Sequence, residues 1–247
     1  MRHLDLFSGI GGFALAASWV WGKEHEVVAF CEIEPYCQNI LRQHWPDTEI
    51  IEDIRECDFG RFTNIDLLTG GFPCQDVSGA NPFGQGLSGR RSGLWRFMLE
   101  SIRETRPQWI MVENVPWLRK RGLGRILGDL AEIGYDAQWH SIAAAQVGAP
   151  HKRERVWLVA YPNGLSRLQA DSLFMSIREG VAARDHACSL HWNATASPDW
   201  QIPERWLAGS DDGVSRKLAC CAYGNAIIPQ VAAVIMQGIK EIDSCTG

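Results

Sequence analysis

The chain has no run of about 18 apolar residues, which excludes a membrane-spanning helix. Its first residues, MRHLDLFSGIGG, lack an apolar core followed by a small-residue cleavage site, so no secretory signal is expected. Eight cysteines are present, yet none forms a C-x-x-C pair and no Cys/His spacing fits a zinc module. A chain of this length needs no disulfide staples. The expectation is a protein that stays in a reducing cytoplasm, with its cysteines free. There are no internal repeats and no low-complexity tract. Positive charge is also short: 24 Lys and Arg stand against 29 Asp and Glu, for a net charge of −5. Spread evenly, that balance argues against a nucleic-acid binder. It is not spread evenly. Glu24 to Asp58 holds ten acidic and two basic residues, whereas Gln85 to Arg125 holds three acidic and nine basic ones. One face can therefore be basic enough to hold a phosphate backbone.

What is present is a globular composition, with 46% hydrophobic and 21% charged residues over 247 positions. Short apolar strands alternate with amphipathic helices. Strands are expected at His3–Phe7, Glu26–Cys31, Ile50–Ile54, Ile65–Thr69, Trp109–Glu113, Ala137–Ile142 and Val156–Ala160. Helices are expected at Gly11–Trp21, Pro35–His44, Leu94–Glu104 and Gly122–Ile133. Such alternation means an α/β fold with an open, mostly parallel sheet. Regular patterning stops at Tyr161 and returns at Gly224, where NAIIPQVAAVIMQGIKEI reads as one amphipathic helix. The expected organisation is a main domain over residues 1–160, a small irregular region over 161–212, and a segment over 213–247 that returns to the main domain.

The first turn, DLFSGIGGFALA, places Gly9, Gly11 and Ala14 in a G-x-G-x-x-A pattern between a strand and a helix. That geometry brings backbone N–H groups close to a ligand at a helix N-terminus. Glu32 follows at the next strand end, about 20 residues on, where a carboxylate can accept hydrogen bonds from ribose hydroxyls. Asp53 comes at the third strand end. Three such positions suit an adenosine-bearing cofactor, either a dinucleotide or S-adenosylmethionine.

The fourth strand runs into GGFPCQDVSGANPFGQGLSGRRSG, Gly70 to Gly93. Cys74 stands at the start of this long polar loop. Ligands in open α/β sheets sit beyond the carboxyl ends of strands, so Cys74 is expected to face the cofactor. A reactive thiol must be partly exposed and must ionise from a free pKa of about 8.5. A Gly-rich loop with Arg90 and Arg91 can cover it and add positive potential. The fifth strand ends in Glu113-Asn114-Val115, and a carboxyl in an apolar strand end can act as an acid. Pro150-His151-Lys152-Arg153-Glu154-Arg155 precedes the last strand. Taken singly, Glu113 reads as an ordinary strand-end carboxylate and the Lys-Arg segment as a solvated charge run.

Taken together, DLFSGIGGF, CEIEPYCQNIL, GGFPCQDVSG, VENV, KRERVWLVA and GNAIIPQV resemble the DNA (cytosine-5)-methyltransferase family, in the family's order and roughly its spacing. The likeness covers residues 1–160 and about 211–241, and points to the bacterial and phage branch. It implies a Rossmann-like methyltransferase fold with a small target-recognition region, S-adenosylmethionine as cofactor, double-stranded DNA as substrate and no metal. It also implies a monomer in the cytoplasm of a bacterial or phage-infected cell, with a restriction endonuclease as a possible companion. In the implied chemistry Cys74 attacks C6 of a flipped-out cytosine, and Glu113 supports N3. Arg153 and Arg155 hold the base oxygen, a phosphate or the loop, and Gln75 and Ser78 move toward the gap in the duplex. The implied cofactor pocket comprises Phe7, Ser8, Gly9, Gly11, Gly12, Glu32, Ile33, Asp53, Ile54, Pro73, Leu94, Asn225 and Ile227.

Two departures stand out. His151 replaces the glutamine that the family usually has before Lys-Arg-x-Arg. The recognition region is also very short, and the arginine-containing motif that usually precedes the last helix is not evident. Trp192, Trp200, Arg205, Trp206 and Arg216 are candidates for gripping DNA. An RNA (cytosine-5)-methyltransferase is disfavoured because its Cys-Phe-Thr signature is missing. A catalytically dead DNA-binding homologue is at odds with the presence of Cys74, Glu113 and Arg155. A nucleotide-dependent oxidoreductase leaves Pro73-Cys74-Gln75 unexplained.

Overall fold

The computed structural model describes residues 1–73, 92–148, 152–164, Phe174 and 226–246. Seven strands form one sheet in the order β3-β2-β1-β4-β5-β7-β6. They are β1 Arg2–Leu6, β2 Glu26–Cys31, β3 Glu49–Ile51, β4 Leu67–Gly70, β5 Trp109–Asn114, β6 Tyr135–Ala143 and β7 Glu154–Pro162. The first five are parallel to one another, while β7 runs antiparallel to both β5 and β6. The helices are α1 Gly12–Trp21, α2 Pro35–His44, α3 Trp95–Thr105, α4 Leu118–Arg121, α5 Leu123–Glu132 and α6 Pro229–Thr246.

The chain winds outward from β1 to β3, then returns to the other side of β1 with β4. The carboxyl ends of β1 and β4 therefore flank the point where strand order reverses, the place where open α/β sheets hold ligands. The central strands are buried on both faces, as their near-continuous apolar runs require. One face packs Leu4, Leu68, Ile110, Val112 and Leu158 against Met98, Ile102, Ile126 and Leu130. The other packs Leu67, Trp109, Met111, Trp157 and Val159 against Phe13, Ala17 and the inner side of α6. In α6 that inner side is Val231, Ala232, Ile235, Met236 and Ile239, all buried at the 3.6-residue spacing of an apolar stripe. Small residues in α1, Ala16 and Ala17 among them, let α6 approach closely. No described helix is long and apolar enough to cross a membrane.

The expected elements form, with physically explicable shifts. β1 stops at Leu6 because Phe7 takes a left-handed φ of 52° and turns the chain. β3 is only three residues, since Asp53 turns the chain by accepting the Arg55 backbone N–H. β6 and β7 each extend to nine residues because they pair with one another along their whole length. The short helix α4, rich in cations, is an addition to the expected elements. The irregular region expected over 161–212 lies almost wholly outside the described residues, as do Trp192, Trp200, Arg205, Trp206, Arg216, Arg90, Arg91 and His151.

Candidate active site

The first turn is held from two sides. Ser8 Oγ donates to the Asp5 carbonyl at 2.6 Å and accepts the Cys31 N–H at 3.2 Å. Glu32 reaches back from the end of β2. One of its carboxylate oxygens accepts the Gly9 N–H at 2.7 Å, and the other accepts the Glu34 N–H at 2.8 Å. Burial raises the Glu32 pKa, with these two N–H groups opposing it. Gly11 has φ 84°, and a Cβ there would lie 2.6 Å from the Trp45 ring. A Cβ on Gly12 would lie 2.7 Å from Ile227 Cγ1, so Gly12 and Ile227 form one close contact. Above Gly9 the space is open among the described residues: a Cβ at that position would meet none of them within 4 Å.

Around this turn the structure brings together most of the residues expected there. Ile54 is buried in the same apolar cluster against which Phe7 and Leu94 pack. Ile33 is 63% exposed at the rim, an apolar side chain with a face left uncovered. Asp53 differs from expectation in one respect. Its carboxylate is gripped by Arg55, whose Nε lies 2.8 Å from Oδ1, and this bond lowers its pKa. A carboxylate so engaged has fewer lone pairs left for a ligand. Asn225, Cys74, Gln75 and Ser78 lie outside the described residues.

A second group forms where β4, β5 and β7 meet. Gly70 is level with Val112 in the parallel β4–β5 pair, so Gly71 lies beside Glu113. A Cβ on Gly71 would sit 3.5 Å from Glu113 Oε2. Asn114 Nδ2 donates to the Phe72 carbonyl at 3.1 Å, which fixes the peptide leading into Pro73 and Cys74. Asn114 and Gly71 are not singled out by sequence, although Asn114 lies in the Glu-Asn-Val motif. Because β7 runs antiparallel to β5, its beginning lies at the end of β5. Alternation along an extended chain puts Arg155 and Arg153 on one face with Trp157, the residue opposite Glu113. Arg155 Nε is 3.0 Å from Glu113 Oε1, an ion pair without an aligned N–H, so that buried oxygen lacks a hydrogen bond among the described residues. Arg153 Nη2 donates to the Ala226 carbonyl at 2.6 Å, tying the start of β7 to the chain just before α6. Burial pushes the Glu113 pKa up to about 7, against the pull of Arg155 and Arg153. The carboxyl is thus poised to hold or release a proton near neutrality.

The sequence pattern described as C-5 cytosine-specific DNA methylase matches residues 1–186. The chain belongs to that family. It is 33% identical over 195 residues to the type II methyltransferase M2.BsuMI of Bacillus subtilis (strain 168), covering 76% of this chain and 46% of that protein. It is 30% identical over 165 residues to the orphan methyltransferase M.Rho11sI of Bacillus phage rho11s, covering 64% of this chain and 32% of that protein. The chain spans about half the length, or less, of these curated relatives. Its fold matches the S. pombe Dnmt2 methyltransferase with a TM-score of 0.70 at 16% identity, over 98% of both chains. It also matches a putative DNA modification methyltransferase encoded within an E. coli prophage, with a TM-score of 0.66 at 18% identity over 99% of both chains. The cofactor of this family is S-adenosylmethionine. The turn fits it: among the described residues there is open space over Gly9, a carboxylate at Glu32 with lone pairs beyond those used by backbone, and an apolar rim of partly buried Phe7 and Leu94 with exposed Ile33.

Proposed function

We propose that this chain transfers a methyl group from S-adenosylmethionine to C5 of cytosine in double-stranded DNA. The observation that carries this reading is Glu113, buried with a pKa raised to about 7 and placed beside Arg155 and Gly71, the latter just ahead of Cys74 in the chain. Bound S-adenosylmethionine supplies an electrophilic methyl group on a sulfonium. Phe7, Ile54 and Leu94 hold its adenine, Glu32 its ribose, and Gly9, Gly11 and Gly12 let the backbone come close. Ser8 and Pro73 position the two strand ends, and Asp53, Ile33, Asn225 and Ile227 complete the pocket.

Cytosine C5 is a poor nucleophile. Addition of the Cys74 thiolate to C6 breaks the aromatic ring and makes C5 an enamine carbon, while Glu113 gives its proton to N3. C5 would take the methyl group as the sulfur–methyl bond breaks, the bonding pair staying on sulfur, which leaves as a neutral thioether. The C5 proton then leaves to a base, the C6–S bond breaks, and the ring electrons and the N3 proton return to their starting places. Arg155 and Arg153 hold the base oxygen or the neighbouring phosphate. The target atom lies inside a stacked duplex, so the base must flip out, at a cost of a few kcal/mol. Gln75 and Ser78 follow Cys74 in the loop that fills the gap. A companion restriction endonuclease is in keeping with the type II names of several relatives.

The test is to incubate the protein with S-adenosylmethionine and mixed-sequence duplex DNA, then map 5-methylcytosine at base resolution. A consistent sequence around the methylated cytosines is expected. Cys74→Ser should abolish transfer and leave cofactor affinity unchanged; ordinary turnover by that variant would sink the mechanism.

A further inference from the structure

Beyond Glu113 the chain leaves β5 and makes a surface that the chemistry above does not use. Trp117 is 43% exposed, one of three large apolar side chains so exposed among the described residues. Two cations flank its ring: Lys120 Nζ is 5.3 Å from the centroid and Arg121 Cζ is 5.2 Å. The next eight residues, LRKRGLGR over 118–125, hold four cations and no acid, in a chain whose net charge is −5. Arg119 is exposed and contacts Glu154 at 3.7 Å, and Arg125 contacts Asp129 at 3.7 Å. Lys120 is exposed and has no carboxylate partner among the described residues. Glu154 is the neighbour of Arg155, which pairs with Glu113. Glu154 alternates with Arg155 along β7 and so faces away from Glu113; the basic surface adjoins the Arg155–Glu113 pair at the end of β5 and the start of β7 without sharing its face.

Two cations partly cover Trp117, and the part of its ring that stays exposed is apolar surface among charges. A strand of nucleic acid uses both components: phosphates meet the cations, and an aromatic face meets sugar or base. We propose that Trp117, Arg119 and Lys120 form a docking surface for the phosphate backbone of the substrate duplex, next to the flipped cytosine. This rests on the DNA reading above. The surface supplies affinity and position without sequence information. It also gives a chain of acidic net charge a local cationic footing where DNA must lie.

The experiment measures the KM for duplex DNA over a series of salt concentrations, with cofactor affinity followed by calorimetry as a check on folding. Lys120→Gln should raise the KM for DNA by about tenfold at moderate salt and lower the slope of log KM against log salt by about 0.9, the loss of one phosphate contact. Trp117→Ala should raise the KM several-fold with little change in slope, and Trp117→Phe should restore most of it. The kcat at saturating DNA and the cofactor affinity should hold in all three. A wild-type chain that methylates DNA, together with a Lys120→Gln variant of unchanged KM and salt slope, overturns the surface and leaves the reaction standing. A wild-type chain that neither binds nor methylates duplex DNA overturns both.

Discussion

At the scale of single residues, two buried carboxyls set how the molecule responds to pH. Glu113, with its pKa raised to about 7, carries its proton below that pH and loses it above. If the protonated form supports N3, kcat/KM should fall on the alkaline side of about pH 7 while the need for thiolate limits the acid side. Glu113→Gln should lower kcat by roughly 10²-fold or more and remove the alkaline arm, read from pH–rate profiles of the two proteins. Asp5 is fully buried, and burial raises its pKa from 3.8 to about 8. It ends a chain of neutral groups. His25 Nε2 and His3 Nδ1 are 3.0 Å apart, His3 Nε2 and Thr69 Oγ1 are 2.7 Å apart, and Thr69 Oγ1 donates to Asp5 Oδ1 at 2.5 Å. Burial lowers the pKa of both histidines, which keeps them neutral and leaves each a single N–H to share. Asp5 Oδ2 has no partner among the described residues, so the carboxyl is best accommodated with its proton on. The folded pKa exceeds the unfolded one, so this contribution to stability is complete below about pH 3.8 and is lost as pH rises through about 8. Below about pH 6.5 the two histidines, protonated when unfolded and neutral when folded, oppose this slope, so denaturant unfolding should show the fall in wild-type stability between about pH 6.5 and 8, by on the order of 1 kcal/mol per unit at its steepest. Asp5→Asn, which keeps the shape and removes the titration, should flatten the curve; an unchanged slope would show that Asp5 stays ionised.

At the scale of elements, the first turn illustrates what a sequence reveals and what it hides. Glycines at 9, 11 and 12 between a strand and a helix predict a close backbone approach, and the structure adds the reason for two of them. Gly11 must be left-handed and must leave room for Trp45; Gly12 must leave room for Ile227. Gly11→Ala combines a left-handed backbone with a collision, and should cost roughly 2–4 kcal/mol of stability, checked by thermal unfolding. Strand and helix periods are legible because each central strand is buried on two faces and each helix on one. Less is legible where tertiary partners decide. That Asp53 is taken by Arg55, two residues on, does not follow from spacing alone. Nor does a polar chain across β1 and β4, because His3 and Thr69 are 66 positions apart and look like ordinary strand residues. Glu113 and Arg155 are legible as a pair only through the family's motifs; no local rule joins positions so far apart in the chain.

At the scale of the whole molecule, α6 closes the fold. It supplies much of the apolar wall against α1 and one side of the sheet, although a long stretch of sequence separates it from β7. Ile235 is fully buried there, and Ile235→Ala should cost about 2–5 kcal/mol, read from denaturant unfolding, with cofactor affinity preserved wherever the variant is folded. Just before α6, Ile227 meets Gly12 and the Ala226 carbonyl meets Arg153. Closure of the core thus also fixes the chain beside the first turn and beside Arg153, and these contacts should be lost together with the core on unfolding.

The reversed direction of β7 has one more consequence. The parallel strands carry their candidate site residues, such as Glu32 and Glu113, at the end where the chain leaves the strand, whereas Arg155 lies at the start of β7 and Arg153 just before it. These two arginines are aimed by the pairing that follows them, and the loop that precedes them has little say. Residues inserted before Lys152 would lengthen a connection and leave the guanidinium of Arg155 where it is. One residue inserted between Arg155 and Trp157 would turn both arginines to the opposite face of the sheet, away from Glu113. The tolerance of this stretch to change in length is accordingly one-sided, free upstream and rigid downstream.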